Sequence, residues 1–88
     1  FRLAKRGWIM TEVRNLYVNE AYRNRGYGTK LLQAAERFVV SPIVVAVVRK
    51  DNTYAKRIYD GGLMWHSLNG YFVSPLGNEC ILFYKILK

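Results

Sequence analysis

The sequence holds one cysteine, Cys80, and one histidine, His66. A lone thiol cannot close an internal disulfide. Cys80 also sits in an apolar, strand-like run, so the expectation is a small buried hydrophobe in a reducing cytoplasm. Without a Cys/His cluster there is no material for a structural zinc site or a histidine-based triad, and no metal is expected. Long apolar runs are missing too: the longest, Ile43 to Val48, falls far below the ~18 residues of a membrane span, which excludes a spanning helix. There is no low-complexity tract and no repeat, which argues against a disordered chain or a solenoid. The chain opens Phe1-Arg2-Leu3 with neither an initiator methionine nor a signal-peptide core. The expectation is a start that lies upstream or has been trimmed.

What is present is a globular composition, 51% hydrophobic and 15% aromatic over 88 residues. That length makes residues 1–88 one small domain with a thin core. Acidic residues are outnumbered by basic ones, 6 against 14, and the net charge is +8. Such a charge implies an anionic partner: nucleic acid, a membrane surface or a phosphorylated ligand. The cations are scattered along the chain, so charge alone does not choose among the three.

Residues 8–18 read as a strand from their β-branched and aromatic content. Phe1–Ala4 is a candidate partner strand, joined through a turn at Lys5-Arg6-Gly7. From Gly28 the apolar period changes to that of a helix of about three turns, with Leu31, Leu32, Ala35, Phe38 and Val39 on its inner side and Ser41-Pro42 as its stop. Ile43–Val48 suggests a strand buried on both faces, a pattern that favours parallel pairing. Asp51 or Asn52 caps a second helix running to about Tyr59, closed by Gly61-Gly62. Strands follow at Met64–Val73 and Glu79–Leu87, linked by the turn-rich Ser74–Asn78. The predicted class is α/β, a central mixed sheet with two helices in the order (β)β-α-β-α-β-β, its first β-α-β crossing right-handed.

The segment Arg23-Asn24-Arg25-Gly26-Tyr27-Gly28 lies between a strand and a helix. A first helical turn leaves amide hydrogens unpaired and carries partial positive charge, which draws phosphate. Gly26 and Gly28 remove Cβ atoms where a ligand comes close and permit the left-handed geometry of an anion nest. Arg23 and Arg25 add planar donors. A P-loop is excluded because Thr29 precedes Lys30 at the wrong spacing. A dinucleotide fingerprint is disfavoured because Leu31 stands where a third glycine belongs, and Arg49 where an acidic residue would close the next strand.

The stretch Leu16–Leu32, with Arg23-x-x-Gly26-x-Gly28 at its centre, resembles the acetyl-coenzyme A signature of the GNAT superfamily, whose core is Gln/Arg-x-x-Gly-x-Gly/Ala. Asn52-x-x-Ala55-x-x-x-Tyr59 after the buried strand resembles that superfamily's second signature. Together the two cover about residues 9–65. The resemblance implies a GNAT-like fold and an acetyl-coenzyme A-dependent N-acetyltransferase acting on a primary amine by direct attack. It also implies that Leu16, Tyr17 and Val18 offer backbone to pantetheine. Arg23, Asn24, Arg25, Gly26, Tyr27, Gly28 and Thr29 would hold the pyrophosphate, and Asn52 would contact the pantetheine arm. Glu12 would be the base and Tyr59 the acid for the departing thiolate. Strand alternation, absent a bulge, sets Glu12 on one face with Arg14, Leu16 and Val18. Against these stand a solvated, arginine-paired Glu12 and a Tyr59 that only packs on the sheet.

The family usually begins with a strand and a helix pair ahead of this region, so either an upstream segment is missing or the chain is a minimal version. A minimal version leaves a sheet edge and an apolar face open, for which a homodimer or a partner chain is the expected cover. Two rivals remain. One is a non-catalytic acyl-coenzyme A sensor. The other, which makes nucleic acid the partner, is a basic module stacking bases on Tyr17, Tyr22, Tyr27, Tyr54 and Trp65. The acceptor amine is left open.

Overall fold

The computed structural model describes residues 1–68 and 70–88. Its elements are β1 (Arg2–Arg6), β2 (Met10–Arg14), α1 (Tyr27–Phe38), β3 (Ile43–Arg49), α2 (Thr53–Asp60), β4 (His66–Ser67), β5 (Phe72–Val73) and β6 (Glu79–Ile86), with a 3-10 turn at Glu20–Tyr22. The sheet runs β1-β2-β3-β6-β4, and β5 also lies on β6. β2 and β3 are parallel while the other pairs are antiparallel, so the expected mixed sheet with two helices is the architecture observed. No helix among the described residues is long and apolar enough to cross a membrane.

Side-chain alternation divides the sheet into two unlike faces. On one, Val13, Val44, Ala46, Val48 and Phe83 join Leu32 and Ala35 of α1 and Ala55, Ile58 and Tyr59 of α2 in a single core cluster. Both helices therefore cover the same face. The registers Glu12↔Val45, Val45↔Tyr84 and Val47↔Leu82 define the other. There Val45 and Cys80 are buried, yet Val47 and Ile86 are 40% and 64% exposed. The run Ile43–Val48 is thus not buried throughout on both faces, as its composition suggests. Its pairing is also only half parallel, because β6 takes its other edge.

Several boundaries move. β1 extends to Arg6, and the turn falls at 7–9, with Gly7 at φ 75°. The strand expected over 8–18 ends at Arg14 because Asn15 adopts a left-handed φ of 56°. α1 closes at Phe38, before Ser41-Pro42. Phe38 is 69% exposed, and the inner stripe is Gly28, Leu32, Ala35 and Val39. Ser41 is buried and tied, its hydroxyl 2.7 Å from that of Thr11 and donating to the Ile43 carbonyl at 2.9 Å. The strand expected over Met64–Val73 divides into the two short strands β4 and β5, with Met64 at φ 65° ahead of them. Within that range Asn69 lies outside the described residues.

Candidate functional site

β2 and β3 pair only from Met10↔Ile43 to Glu12↔Val45, although β3 continues to Arg49. The second half of β3 keeps its partner on the β6 side, at Val47↔Leu82, Val48↔Ile81 and Arg49↔Cys80. On the β2 side it has none. Residues 15–18 leave the sheet without making any backbone–backbone hydrogen bond among the described residues. The wedge between the diverging chains is a cleft of about 280 Å³, lined by Glu12–Leu16, Val47–Arg49, Asn52, Ala55 and Tyr59. Unpaired extended backbone beside a cleft can accept an extended ligand as an added strand would. Leu16, Tyr17 and Val18 lie on this segment, but the Val18 carbonyl already accepts from Arg23 Nε at 2.9 Å.

Val13 and Leu16, three residues apart, both pack on the helix-side core. An unbroken strand would put them on opposite faces. The turn at Asn15 reverses the parity, and this corrects the alternation expected from sequence. Glu12 and Arg14 face the open side, whereas Leu16 and the buried Val18 face the helices. The cleft consequently passes through the sheet. Val13, Leu16, Ala55 and Tyr59 line its helix side, and Glu12, Arg14, Val47 and Arg49 line its open side.

The N-terminus of α1 opens beside the other end of this segment. Gly26 is the N-cap at φ 78°, ψ 6°, and no side chain caps the helix. The first intrahelical bond runs from the Lys30 amide to the Gly26 carbonyl at 3.1 Å, so the amides of Tyr27, Gly28 and Thr29 are free for an anion. Asn24 also has a left-handed φ of 64°, which supplies the concave backbone of a nest. A second cavity of about 150 Å³ opens here, lined by Asn24, Gly26, Gly28, Thr29, Tyr54, Arg57 and Ile58. The two glycines differ in purpose. Gly26 is needed for its φ, since a Cβ there would meet nothing within 4 Å. A Cβ on Gly28 would come within 2.5 Å of Ile58 Cδ1 and 2.7 Å of the Tyr54 hydroxyl. Gly28 therefore lets α1 approach α2, and it also lines the cavity at the helix start.

Arg23 and Arg25 also divide. The Arg23 guanidinium lies 4.1 Å from the Tyr54 ring centroid and 5.4 Å from that of Tyr17. With its bond to Val18 it ties the loop to α2, and since its Nη1 lies 3.8 Å from the Glu20 carboxylate, Nη2 is the nitrogen left for an anion. Arg25 reaches over the exposed Tyr22, and Tyr27 packs beside Lys30. Arg57, an ambiguous helix cation in sequence, sits in the phosphate-sized cavity because α2 turns that face toward α1. Asn52 is the N-cap of α2, its Oδ1 accepting from the Ala55 amide at 3.1 Å. That fixes the rotamer and leaves its amide nitrogen for the cleft it lines.

Glu12 is clamped. Its Oε1 accepts from Arg6 at 2.9 Å and lies 3.2 Å from the terminal nitrogen of Arg14. Partial burial pushes its carboxyl up, but the hydrogen bonds and charges of Arg14 and Arg6 outweigh this and hold it below the ordinary carboxylate value. The hairpin register, which the sequence did not show, sets Arg6 opposite Met10 and hence diagonal to Glu12. Tyr59 is 3% exposed, stacked on Phe83 at 5.2 Å and edge-on to Trp65 at 4.9 Å. Burial raises its phenol, so it stays protonated at neutral pH. The one sealed side-chain polar atom without a partner among the described residues is Trp65 Nε1. Tyr59 is also one of the residues that line the cleft. Packing and access to the cleft coexist at this residue. The burial of Trp65 removes it from the stacking surface that a nucleic-acid module would need.

No curated protein matches the chain. The family model described as Acetyltransferase (GNAT) family matches residues 2–61, a span that begins at β1 and ends just past α2. It contains both cavities' helix ends, the diverging β2 and β3, and each residue of the two motifs. The chain belongs to the GNAT acetyltransferase family.

Proposed function

We propose that the chain transfers an acetyl group from acetyl-coenzyme A to a primary amine, by direct attack of the free amine within a ternary complex. The observation that carries this reading is the pairing of two features: the unpartnered backbone of residues 15–18, and the uncapped N-terminus of α1 beside it. The first suits the amide-rich pantetheine arm, the second its pyrophosphate, with Arg57 and Arg25 as added cations and Asn52 on the arm. The thioester supplies the activated acyl group. An ammonium must first lose a proton. The C–N bond then forms as the C–S bond breaks, the nitrogen gives up its second proton to solvent, and the leaving sulfur needs a proton or a hydrogen bond. Glu12, through water, takes the first task and the Tyr59 hydroxyl the second. With its phenol raised, Tyr59 serves better as a hydrogen-bond donor to the thiolate than as a full acid.

One observation favours a second reading. A carboxylate clamped by Arg6 and Arg14 is a weak base, and a sensor that binds acyl-coenzyme A without turnover would have no use for a stronger one. A thermal-shift titration with acetyl-coenzyme A, followed by an amine panel that reads free thiol, separates the two. Ligand at a hundredfold over Kd adds about 2.7 kcal/mol. For a domain of this size that is a rise of about 10–20 °C. Thiol release with an amine supports the enzyme, a shift without release supports the sensor, and no shift refutes both. The open sheet face beyond the cleft, with its exposed Ile86, suits a second copy of the chain. A monodisperse monomer by light scattering at high concentration would contradict that.

A further inference from the structure

The open-side mouth of the cleft is unusually rich in guanidinium groups for a site that receives an amine. Arg14 and Arg49 line it, Arg2 stands opposite Arg14 in the β1–β2 register, and Arg6 shares their face. Among the described residues only Glu12 and Asp51 reach these four cations, Glu12 on Arg6 and Arg14 and Asp51 on Arg49 at 3.1 Å. Two positive charges are left in excess. They do not belong to the pyrophosphate cradle, which is a separate cavity sharing no lining residue with the cleft.

An incoming ammonium would meet like charge there. Polyamines and lysine-rich segments are repelled, whereas an amine that carries its own anion is drawn in and oriented. The same field favours the neutral amine over the ammonium, since a nearby like charge disfavours the charged form. It thus supplies part of the deprotonation that a clamped Glu12 supplies poorly. At about 280 Å³ the cleft has to hold the acetyl end and the acceptor together. That is below the roughly 300–1,000 Å³ of drug-sized sites, so the acceptor is small.

We propose that the acceptor is a small amine bearing an anionic oxygen group, carboxylate or phosphate, which Arg14 and Arg49 hold at the open side of the sheet while the amine points into the cleft. The inference rests on the acetyl-transfer reading above. The acetyl carbon passes from sulfur to nitrogen as described there, and the anionic group takes no part in the bond changes.

The test uses the full chain with acetyl-coenzyme A and a panel of n-propylamine, β-alanine, alanine, 2-aminoethyl phosphate and spermidine, read as free thiol. Donor binding is measured separately by calorimetry. The expected result is kcat/KM for an anionic amine at least about tenfold above n-propylamine and spermidine, with the carboxylate and phosphate arms telling which anion is preferred. Arg14→Gln and Arg49→Gln should each cut the ratio of anionic to neutral acceptor by about tenfold to a hundredfold while the acetyl-coenzyme A Kd stays within about twofold. The ratio cancels any general loss of rate from disturbing Glu12, and Arg49, its side chain 58% exposed, has little packing to lose. Donor binding with n-propylamine or spermidine as the best acceptor overturns the acceptor inference alone, whereas donor binding with no amine acetylated supports the sensor and overturns acetyl transfer together with this inference. Failure to bind the donor overturns the acetyl-transfer reading and this inference with it.

Discussion

Gly28→Ala is the substitution that best tests how this fold shapes the cavity at the start of α1. The backbone at position 28 is helical, so the new methyl meets no conformational strain of its own and should even favour the helix by up to about 1 kcal/mol. Against that gain, the Cβ would lie 2.5 Å from Ile58 Cδ1, 3.1 Å from Ile58 Cγ1 and 2.7 Å from the Tyr54 hydroxyl. Ile58 is 6% exposed, and Tyr54 carries the Arg23 guanidinium over its ring. Neither can swing aside freely, so α2 must shift from α1 or Ile58 must leave its rotamer. Overpacking of this kind costs about 1–3 kcal/mol. The net is a loss of roughly 0.5–2 kcal/mol. In a domain of this size each kcal/mol moves Tm by about 4–8 °C. Thermal unfolding by circular dichroism should record the drop. Calorimetry should record weaker acetyl-coenzyme A binding as well, because the gap between Gly28 and Arg57 widens. Ile58→Val removes the nearest atom and alone costs about 0.5–1.5 kcal/mol. Combined with Gly28→Ala it should cost less than the two singles added, by about 0.5 kcal/mol or more. A Gly28→Ala variant as stable as the parent, or a strictly additive double variant, would refute the packing role assigned to this glycine.

Three further outcomes follow from the site. Tyr59→Phe should lower kcat by about tenfold to a hundredfold with little change in Tm, because the hydroxyl makes no hydrogen bond among the described residues; unchanged turnover would leave Tyr59 a packing residue. Glu12, held below its ordinary value near 4.5 by Arg14 and Arg6 against the opposing effect of burial, contributes stability that is present above that value and lost as pH falls through the folded-state value. Urea midpoints measured from pH 6 down to 3 should therefore fall more steeply in the parent than in Glu12→Gln, and parallel curves would remove the clamp from the account. Asn52→Ala deletes the cap of α2 and should cost about 1 kcal/mol, a fall of about 4–8 °C; an unchanged melting curve would show that the Ala55 amide finds another partner.

Much of this molecule is local in origin. The helix at Tyr27–Phe38 follows from its apolar period, the cap at Asn52 from its side chain, and the anion site from glycine and arginine beside a helix start. Each depends on neighbours within four residues, and such neighbours are in the sequence. The same holds for the class of the sheet, since Ile43–Val48 cannot be anything but a largely buried strand between two helices. Even the two motifs are local, and they carry the family with them.

What lies across the sheet was not legible in this way. The face on which Glu12 emerges depends on one backbone angle at Asn15, and alternation cannot anticipate a single left-handed residue. The division of Met64–Val73 into two strands depends on how β6 pairs along its edge. Arg6 and Arg49 acquire meaning only when the hairpin register and the diverging β3 bring them to one mouth with Arg14. That Gly28 also sets the approach of α1 to α2 shows only when Ile58, thirty residues on, is seen against it. Spacing along the chain thus determined the uncapped, glycine-flanked helix start, because a helix terminus makes its own field. Tertiary structure alone decided the cleft and its charge, because those arise where strands part and residues distant in sequence meet.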